Sequence, residues 1–272
     1  MNTTHHTSDS DFSVETWVVP PGGSRTIDVA GIERLRVGLI AGNINVIGHD
    51  GADTRIEIEQ VIEHDVHVTA ERGELQINQP KRNWRDAFST AASVMRSRTS
   101  ASVTVMLPRS AFAKIGTTSA ETLVSGILNG ASVNTVSGDV QLSQVSGRVD
   151  INTASGRVDI DGLDGHLELR SVSGEVTVAG TGDNLSVETV SGNVLLDIDG
   201  YPKLISVNSV SGDSTVRVQQ GAGLSVDFKS LSGQYAVDGI SGKGKATPRI
   251  DGEPSIRIAC HSVSGDLTVV RR

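Results

Sequence analysis

A six-residue phrase recurs from residue 115 onward, and its spacing constrains the fold of this chain more than any other feature. The phrase consists of an apolar residue, a variable residue, Thr or Ser, a small apolar residue, Ser and Gly, as in Val133 to Gly138. Repetition at a near-constant period indicates units that stack on their neighbours. The phrase ends at positions 120, 138, 156, 174, 192, 212, 233 and 265, with gaps of 18, 18, 18, 18, 20, 21 and 32 residues.

Each 18-residue unit between residues 138 and 200 divides into two halves of nine residues. The third and fifth positions of each half are apolar, as in Val140 and Leu142 or Val149 and Ile151. Apolar residues two apart, followed by a Ser-Gly or Asp-Gly corner, predict a short strand and a turn. We therefore predict an all-β fold, a β-solenoid with about 18–21 residues per coil and coils about 4.8 Å apart.

The composition fits a narrow solenoid interior better than the alternative fold, a globular β-sandwich. The chain of 272 residues has 30 glycines, which suit corners, and only 8 aromatic residues. A sandwich also leaves the constant 18-residue register unexplained. The single cysteine, Cys260, occupies the phrase position that Val207 and Phe228 hold in other copies. We expect it to be a buried core thiol and not a nucleophile.

Charge and cysteine content exclude several functional classes. The net charge of -8 argues against nucleic-acid binding, and one cysteine cannot build a disulfide framework or a thiolate zinc site. The first 25 residues lack the layout of a secretory leader, and no apolar run has the length of a membrane span. We therefore expect a cytoplasmic protein, with the inner membrane face as a peripheral location.

The pattern along the chain predicts four regions. Residues 1–13 are a disordered tail, and residues 14–80 form an N-terminal β-strand region that caps or continues the solenoid. Residues 81–100 are a basic loop or short helix. Residues 101–272 hold the solenoid repeats, with an inserted loop at 242–254 in the 32-residue gap.

Several of these segments resemble the bacterial adhesin-like β-strand-repeat family, also called toastrack domains. The resemblance rests on the phrases at 136–140, 172–176 and 190–194, the segment 103–108 and the strand 42–48, and it covers residues 14–272. It implies a single-stranded, right-handed β-helix. It also implies an association with bacterial envelope stress or surface association. The family has no agreed catalytic residues, so none is carried over.

Stacked polar residues offer three kinds of chemistry. Asp150 stacks on Glu168, a carboxylate pair that a retaining glycosidase requires, although we expect a solvated acidic pair. Calcium binding is disfavoured because the corners carry single glycines. We predict no metal, cofactor or catalytic residue. The residues after each phrase glycine predict a surface ion ladder of Asp139, Arg157, Glu175 and Asn193.

The basic segment is the predicted partner-binding site. Cations beside aromatic side chains suit an acidic protein or an anionic membrane surface, and the alternative is a loop folded against the protein's own acidic coils. We predict a non-enzymatic scaffold or interaction module that binds a protein or self-associates through the solenoid ends, particularly the C-terminal coil. The alternative is a carbohydrate-active enzyme or carbohydrate-binding protein. The candidate residues are Lys81, Arg82, Trp84, Arg85, Phe88, Arg96 and Arg98.

Overall fold

The computed structural model describes residues 14–79, 99–253 and 255–272, and these residues form one continuous 21-stranded sheet. Within these ranges there is no helix, which confirms the predicted all-β class, and therefore no helix suited to crossing a membrane. The predicted tail 1–13 and residues 81–98 of the basic segment lie outside the described residues.

The strands follow the alternation of apolar and polar residues. Strands before the first strong copy of the phrase are β1 (Glu15–Val19), β2 (Arg25–Ala30), β3 (Arg34–His49), β4 (Asp53–Ile62), β5 (Val66–Glu71), β6 (Glu74–Asn78), β7 (Ser100–Pro108) and β8 (Phe112–Ser125). Those in the repeats are β9 (Ala131–Thr135), β10 (Val140–Thr153), β11 (Val158–Ser173), β12 (Val176–Ser191), β13 (Val194–Asp199), β14 (Leu204–Ser211), β15 (Ser214–Val218) and β16 (Gly223–Lys229). The last strands are β17 (Gln234–Val237), β18 (Ile240–Lys243), β19 (Arg249–Ile250), β20 (Ser255–His261) and β21 (Leu267–Arg271).

Successive coils pair in parallel at the period seen in the sequence. Val140 of β10 pairs with Val158 of β11, which pairs with Val176 of β12. Each partner is therefore 18 residues further along the chain. The third and fifth positions of each nine-residue half are buried, as predicted, and they stack into ladders of Val, Ile and Leu between the two sides of the coil. Cys260 is 1% exposed and joins one such ladder.

Glycine is required where the phrase turns the corner between the two sides of a coil. Gly174 has a φ of +130°, which disfavours any residue with a side chain. A Cβ atom there would also lie 2.0 Å from the carbonyl oxygen of Gly156 in the coil below. The glycine therefore sets both the direction of the chain and the distance between coils.

Antiparallel strands cover the N-terminal end of the parallel stack. The coil made of β6 and β7 pairs in parallel with β3. Beyond it β5 and β4 run antiparallel to β6 and β7, and β1 and β2 are the outermost strands. The change of direction ends the parallel stack.

The C-terminal end does not follow chain order. The last coil, β20 and β21, lies between the coil of β14 and β15 and the coil of β16 and β17. Antiparallel strands β18 and β19 then cover β17 and β16. The sequence suggests that the final strand forms an open end, but β21 has a partner on each side. Strand β21 therefore lies inside the stack and not at its end. The segment 238–253 folds back over the coil of β16 and β17, which is the last coil of the stack.

Candidate functional site: an exposed apolar ridge

Two of the polar positions in the phrase have structural roles at the corner. The third-position hydroxyl, as in Thr153, is buried and donates to the carbonyl oxygen of Ser155 at 3.0 Å. The fifth-position serine bonds to the preceding coil, since the Ser155 amide donates to the Val136 carbonyl oxygen at 3.0 Å. These bonds satisfy polar groups that the tight corner would otherwise leave without partners.

The fourth position of the phrase, in contrast, is apolar and exposed. Valines at this position are 45–56% exposed, and Leu231 is 85% exposed. A polar residue would serve the corner equally well, because the side chain does not enter the core. We call this row the apolar ridge. It consists of Val136, Ala154, Val172, Val190, Val210, Val263 and Leu231.

Hydrogen bonds between coils hold the apolar ridge in a straight stack. Carbonyl oxygens of Val136, Ala154 and Val210 accept amide hydrogens of the next coil at 3.0 Å. Leu231 is last because its amide donates to the Val263 carbonyl oxygen at 3.2 Å. Seven coils at the strand spacing give the ridge a length of about 30 Å. Contiguous apolar surface of this kind marks interaction sites on soluble proteins.

A shallow groove of about 430 Å³ runs beside the first part of the ridge. Its far wall is a polar ladder, in which the Asn152 amide donates to the Asn134 oxygen at 3.1 Å. Arg170 continues this wall in the next coil and donates to Glu188 at 3.2 Å. A ligand on the ridge would therefore meet amide and charged groups along one side.

The predicted ion ladder at the other side of the corner is wrong. Among the described residues, no ion pair joins Asp139, Arg157 and Glu175. Instead the Asp139 carboxylate accepts the backbone amide hydrogen of Arg157 at 2.8 Å. Asn193 does the same for the Asp213 amide at 3.0 Å. A short Asp or Asn side chain reaches the backbone of the next coil more easily than the side chain above it.

Asp150 and Glu168 stack as the sequence indicates, but both carboxylates are held by arginine. Arg148 contacts Asp150 at 3.0 Å and Glu168 at 2.7 Å. Arg170 also contacts Glu168. The hydrogen bond to Asp150 raises the pKa of Arg148. Carboxylates held by arginine in this way are not free to act as the acid and the nucleophile of a glycosidase, so the carbohydrate-enzyme alternative is not supported.

Cys260 and a polar cluster near it are the other groups with potential for chemical reactivity. Burial raises the pKa of Cys260 to about 11, which disfavours the reactive thiolate. On the outer surface Lys229 donates to Asp227 at 2.7 Å and lies 3.1 Å from His261, and the Lys229 bond lowers the pKa of Asp227. The described residues contain no group of three His, Cys, Asp or Glu placed to hold a metal.

The apolar ridge is absent from the sequence predictions, whereas all seven predicted site residues, between Lys81 and Arg98, lie outside the described residues. One signal in the phrase points to the ridge. In Val133 to Gly138 the first and third positions face inward, so the fourth position, Val136, has the parity of an outward residue. An apolar residue that recurs with outward parity in successive coils indicates surface and not core.

The fold and the ridge define a β-repeat protein of parallel stacked coils that carries a linear apolar surface. The chain belongs to the Toastrack DUF4097 family, whose model matches residues 32–270. This match confirms the family suggested by the phrases and covers all of the repeats.

Several solved structures are similar to this chain. A "putative adhesin" from Parabacteroides distasonis ATCC 8503 is 15% identical, with 96% of this chain and 98% of that chain covered and a TM-score of 0.49. A "putative adhesin" from Bacteroides fragilis NCTC 9343 is 11% identical, covering 92% and 98%, with a TM-score of 0.43. A "putative lipid binding protein" from Parabacteroides distasonis is 14% identical, covering 91% and 97%, with a TM-score of 0.46. No curated protein matches this chain.

Proposed function

We propose that this protein is a non-catalytic interaction module whose binding surface is the apolar ridge. One observation carries the proposal: seven successive coils place an apolar side chain on the surface at a position where the fold requires none. The stacked coils would hold these side chains in a fixed row, so binding needs little ordering of the protein itself. The partner class is a protein with a complementary apolar surface.

A non-enzymatic role is part of this proposal. Its support is that the stacked carboxylates form ion pairs with Arg148 and that Cys260 is buried and protonated at neutral pH. The remaining polar residues of the phrase have corner hydrogen bonds as their role. A scaffold needs only the rigid surface that these bonds maintain.

The basic segment, residues 81–98, is a second candidate for the binding surface. Its support is compositional, since the segment contains five cations and two large aromatic residues but only one acid, in an otherwise acidic chain. Such a segment suits an acidic protein or an anionic membrane surface. The two candidates make different predictions, because one depends on apolar contacts and the other on charge.

A substitution series separates the two surfaces. One variant carries Val136→Ser, Val172→Ser and Val190→Ser on the ridge. The matched control is Val270→Ser, because Val270 is also a valine of similar exposure, at 42%, but lies on the outer surface of β21, away from the ridge. A third variant lacks residues 81–98. Each variant is purified together with the proteins that are cross-linked to it. These partners are identified and compared with those of the unchanged protein.

We expect the ridge variant to lose a specific partner that the Val270→Ser control retains, with no change in the unfolding midpoint. Retention of every partner by the folded ridge variant would refute the ridge as the binding surface. Loss in the deletion variant alone would assign binding to the basic segment instead.

Cellular location is a further part of the proposal. We propose that the protein lies in the cytoplasm or at the inner membrane face. We also propose that it acts in a process related to envelope stress, and the family resemblance supports this second part. Fractionation of cells that produce the tagged protein tests this placement. Recovery mainly from the medium or the outer surface would contradict it.

We also propose that the coils wind in a right-handed sense, as a single-stranded β-helix. Support comes from the general preference of connections between parallel strands of one sheet, which are right-handed in about 98% of cases. An experimental structure with measured phases tests the handedness directly.

A further inference from the structure

The two sides of the apolar ridge differ in charge. The residues after the phrase glycines form the acidic flank, with four acids and one arginine: Asp139, Arg157, Glu175, Asn193, Asp213, Asp266 and Gln234. The second residues of the phrases form the amide flank, with three asparagines, two cations, one histidine and one acid: Asn134, Asn152, Arg170, Glu188, Asn208, His261 and Lys229. The two flanks are therefore complementary to each other and not to themselves.

A partner cannot reach the ridge by adding a strand. Corner carbonyl oxygens of Val136, Ala154 and Val263 already accept hydrogen bonds from amides of neighbouring coils. Backbone pairing is the basis of strand addition, so contact at the ridge must come from side chains. A flat row of side chains favours a partner that is itself a straight, rigid row.

We propose that a second copy of this chain covers the ridge, with the two stacks side by side, parallel and related by a two-fold axis along the ridge. The inference rests on the proposed function and names its partner. Each coil then meets the same coil of the second copy, and each acidic flank meets an amide flank. An antiparallel dimer would instead place the acidic flank against itself, which like-charge repulsion disfavours.

The pairing holds coil by coil. Glu175 faces Arg170 of the second copy, and Asp266 faces His261 of the second copy. Asp213 meets the amide of Asn208, and the symmetry repeats each contact twice. None of these pairs brings two acids or two cations together. On the ridge itself each valine, such as Val172, packs against its own counterpart.

The apolar ridge is a surface that a second copy can cover along its whole length. Its seven exposed apolar side chains form a contiguous patch, and patches of this kind on monomers are often functional. The parallel arrangement brings all seven coils of one ridge against all seven coils of the other.

Single cysteines on the ridge test both the contact and its direction. Val136→Cys, Val172→Cys and Val210→Cys are each oxidised in separate full-length proteins, with Val270→Cys as the matched control. The native Cys260 is buried and contributes no background. We expect all three ridge variants to form disulfide-linked dimers and the control to remain monomeric. Dimers from one ridge position only would indicate an antiparallel axis at that coil and overturn the proposal.

Sedimentation tests the energetics. We expect the unchanged protein to dimerise reversibly, and Val172→Asp to raise the dimer Kd at least about 10-fold because it places two carboxylates face to face. Glu175→Arg, which faces Arg170, should weaken the dimer more than Asp159→Arg, an equal charge change on the outer surface of β11 away from the ridge. A monomer at all concentrations refutes the second copy. If ridge variants still lose another protein partner, the proposed function stands without it.

Discussion

The substitution Gly174→Ala tests the claim that the corner glycines set the distance between coils. Gly174 combines a φ of +130° with a Cβ position 2.0 Å from the Gly156 carbonyl oxygen. Ordinary contact for a Cβ atom begins at 3.4 Å, so the two coils would have to separate by more than 1 Å at this corner. The side chain therefore carries both a backbone cost and a stacking cost.

The magnitude follows from these two contributions. A non-glycine residue in this region of φ and ψ costs about 1–3 kcal/mol. Separation of the coils also breaks the bond from the Ser173 amide to the Ala154 oxygen, 3.0 Å, and that from the Val158 amide to the Glu175 oxygen, 2.9 Å. Each is worth about 1 kcal/mol. We expect Gly174→Ala to lower the free energy of unfolding by about 3–5 kcal/mol.

The matched control is Gly200→Ala. Gly200 also has a positive φ, +76°, but no atom lies within 4 Å of its Cβ position, so only the backbone cost applies, about 1–2 kcal/mol. Urea unfolding followed by circular dichroism at the strand band measures both variants. Equal destabilisation of the two variants would refute the stacking role of Gly174 and leave glycine at the corner only as a conformational choice.

Two further predictions concern buried groups of the stack. Burial raises the pKa of Cys260 to about 11, above the unfolded value of about 8.5. The protonated thiol therefore contributes fully to the free energy of unfolding below pH ~8.5, and this contribution is lost as the pH rises towards 11. Alkylation of Cys260 at pH 8 should be slow in the folded protein and fast in urea. The Cys260→Val variant should lose less stability between pH 8.5 and 10.5 than the unchanged protein. Equal losses of stability would contradict this reasoning. Thr153→Val removes the hydrogen bond from the buried hydroxyl to Ser155 and should lower the free energy of unfolding in urea by about 1 kcal/mol. The control Thr177→Val, on the outer surface of β12, should lower it by less than about 0.5 kcal/mol. Similar values for the two variants would contradict the role of Thr153 at the corner.

The polar ladders show where pattern alone misleads. Equal spacing along the sequence correctly predicts that Asp139 and Arg157 lie in adjacent coils, but spacing does not say which atoms meet. Their side chains do not pair, because the Asp139 carboxylate reaches the Arg157 backbone amide first. Arg148, by contrast, lies beside the predicted pair Asp150 and Glu168, and its long side chain spans both coils.

Much of this protein is determined by its sequence through local rules. The 18-residue period, the inward parity of residues such as Val140 and Leu142, the corner glycines and the ladder position of Cys260 all follow from preferences of single residues and from alternation along a strand. These features are repeated from coil to coil, so a pattern that is ambiguous in one repeat can be recognised from the others. The apolar ridge was within reach of the same parity argument.

Tertiary structure alone decided the order of the coils. Every parallel strand offers the same unpaired backbone groups at its edge, so local sequence does not state that β20 and β21 insert between β14–β15 and β16–β17. That choice depends on the fit of whole coils and on the segment 238–253 that closes over the end. The continuity of the ridge is likewise a property of the stack, because parity turns each valine outward but only the pairing of neighbouring coils aligns these side chains in one row.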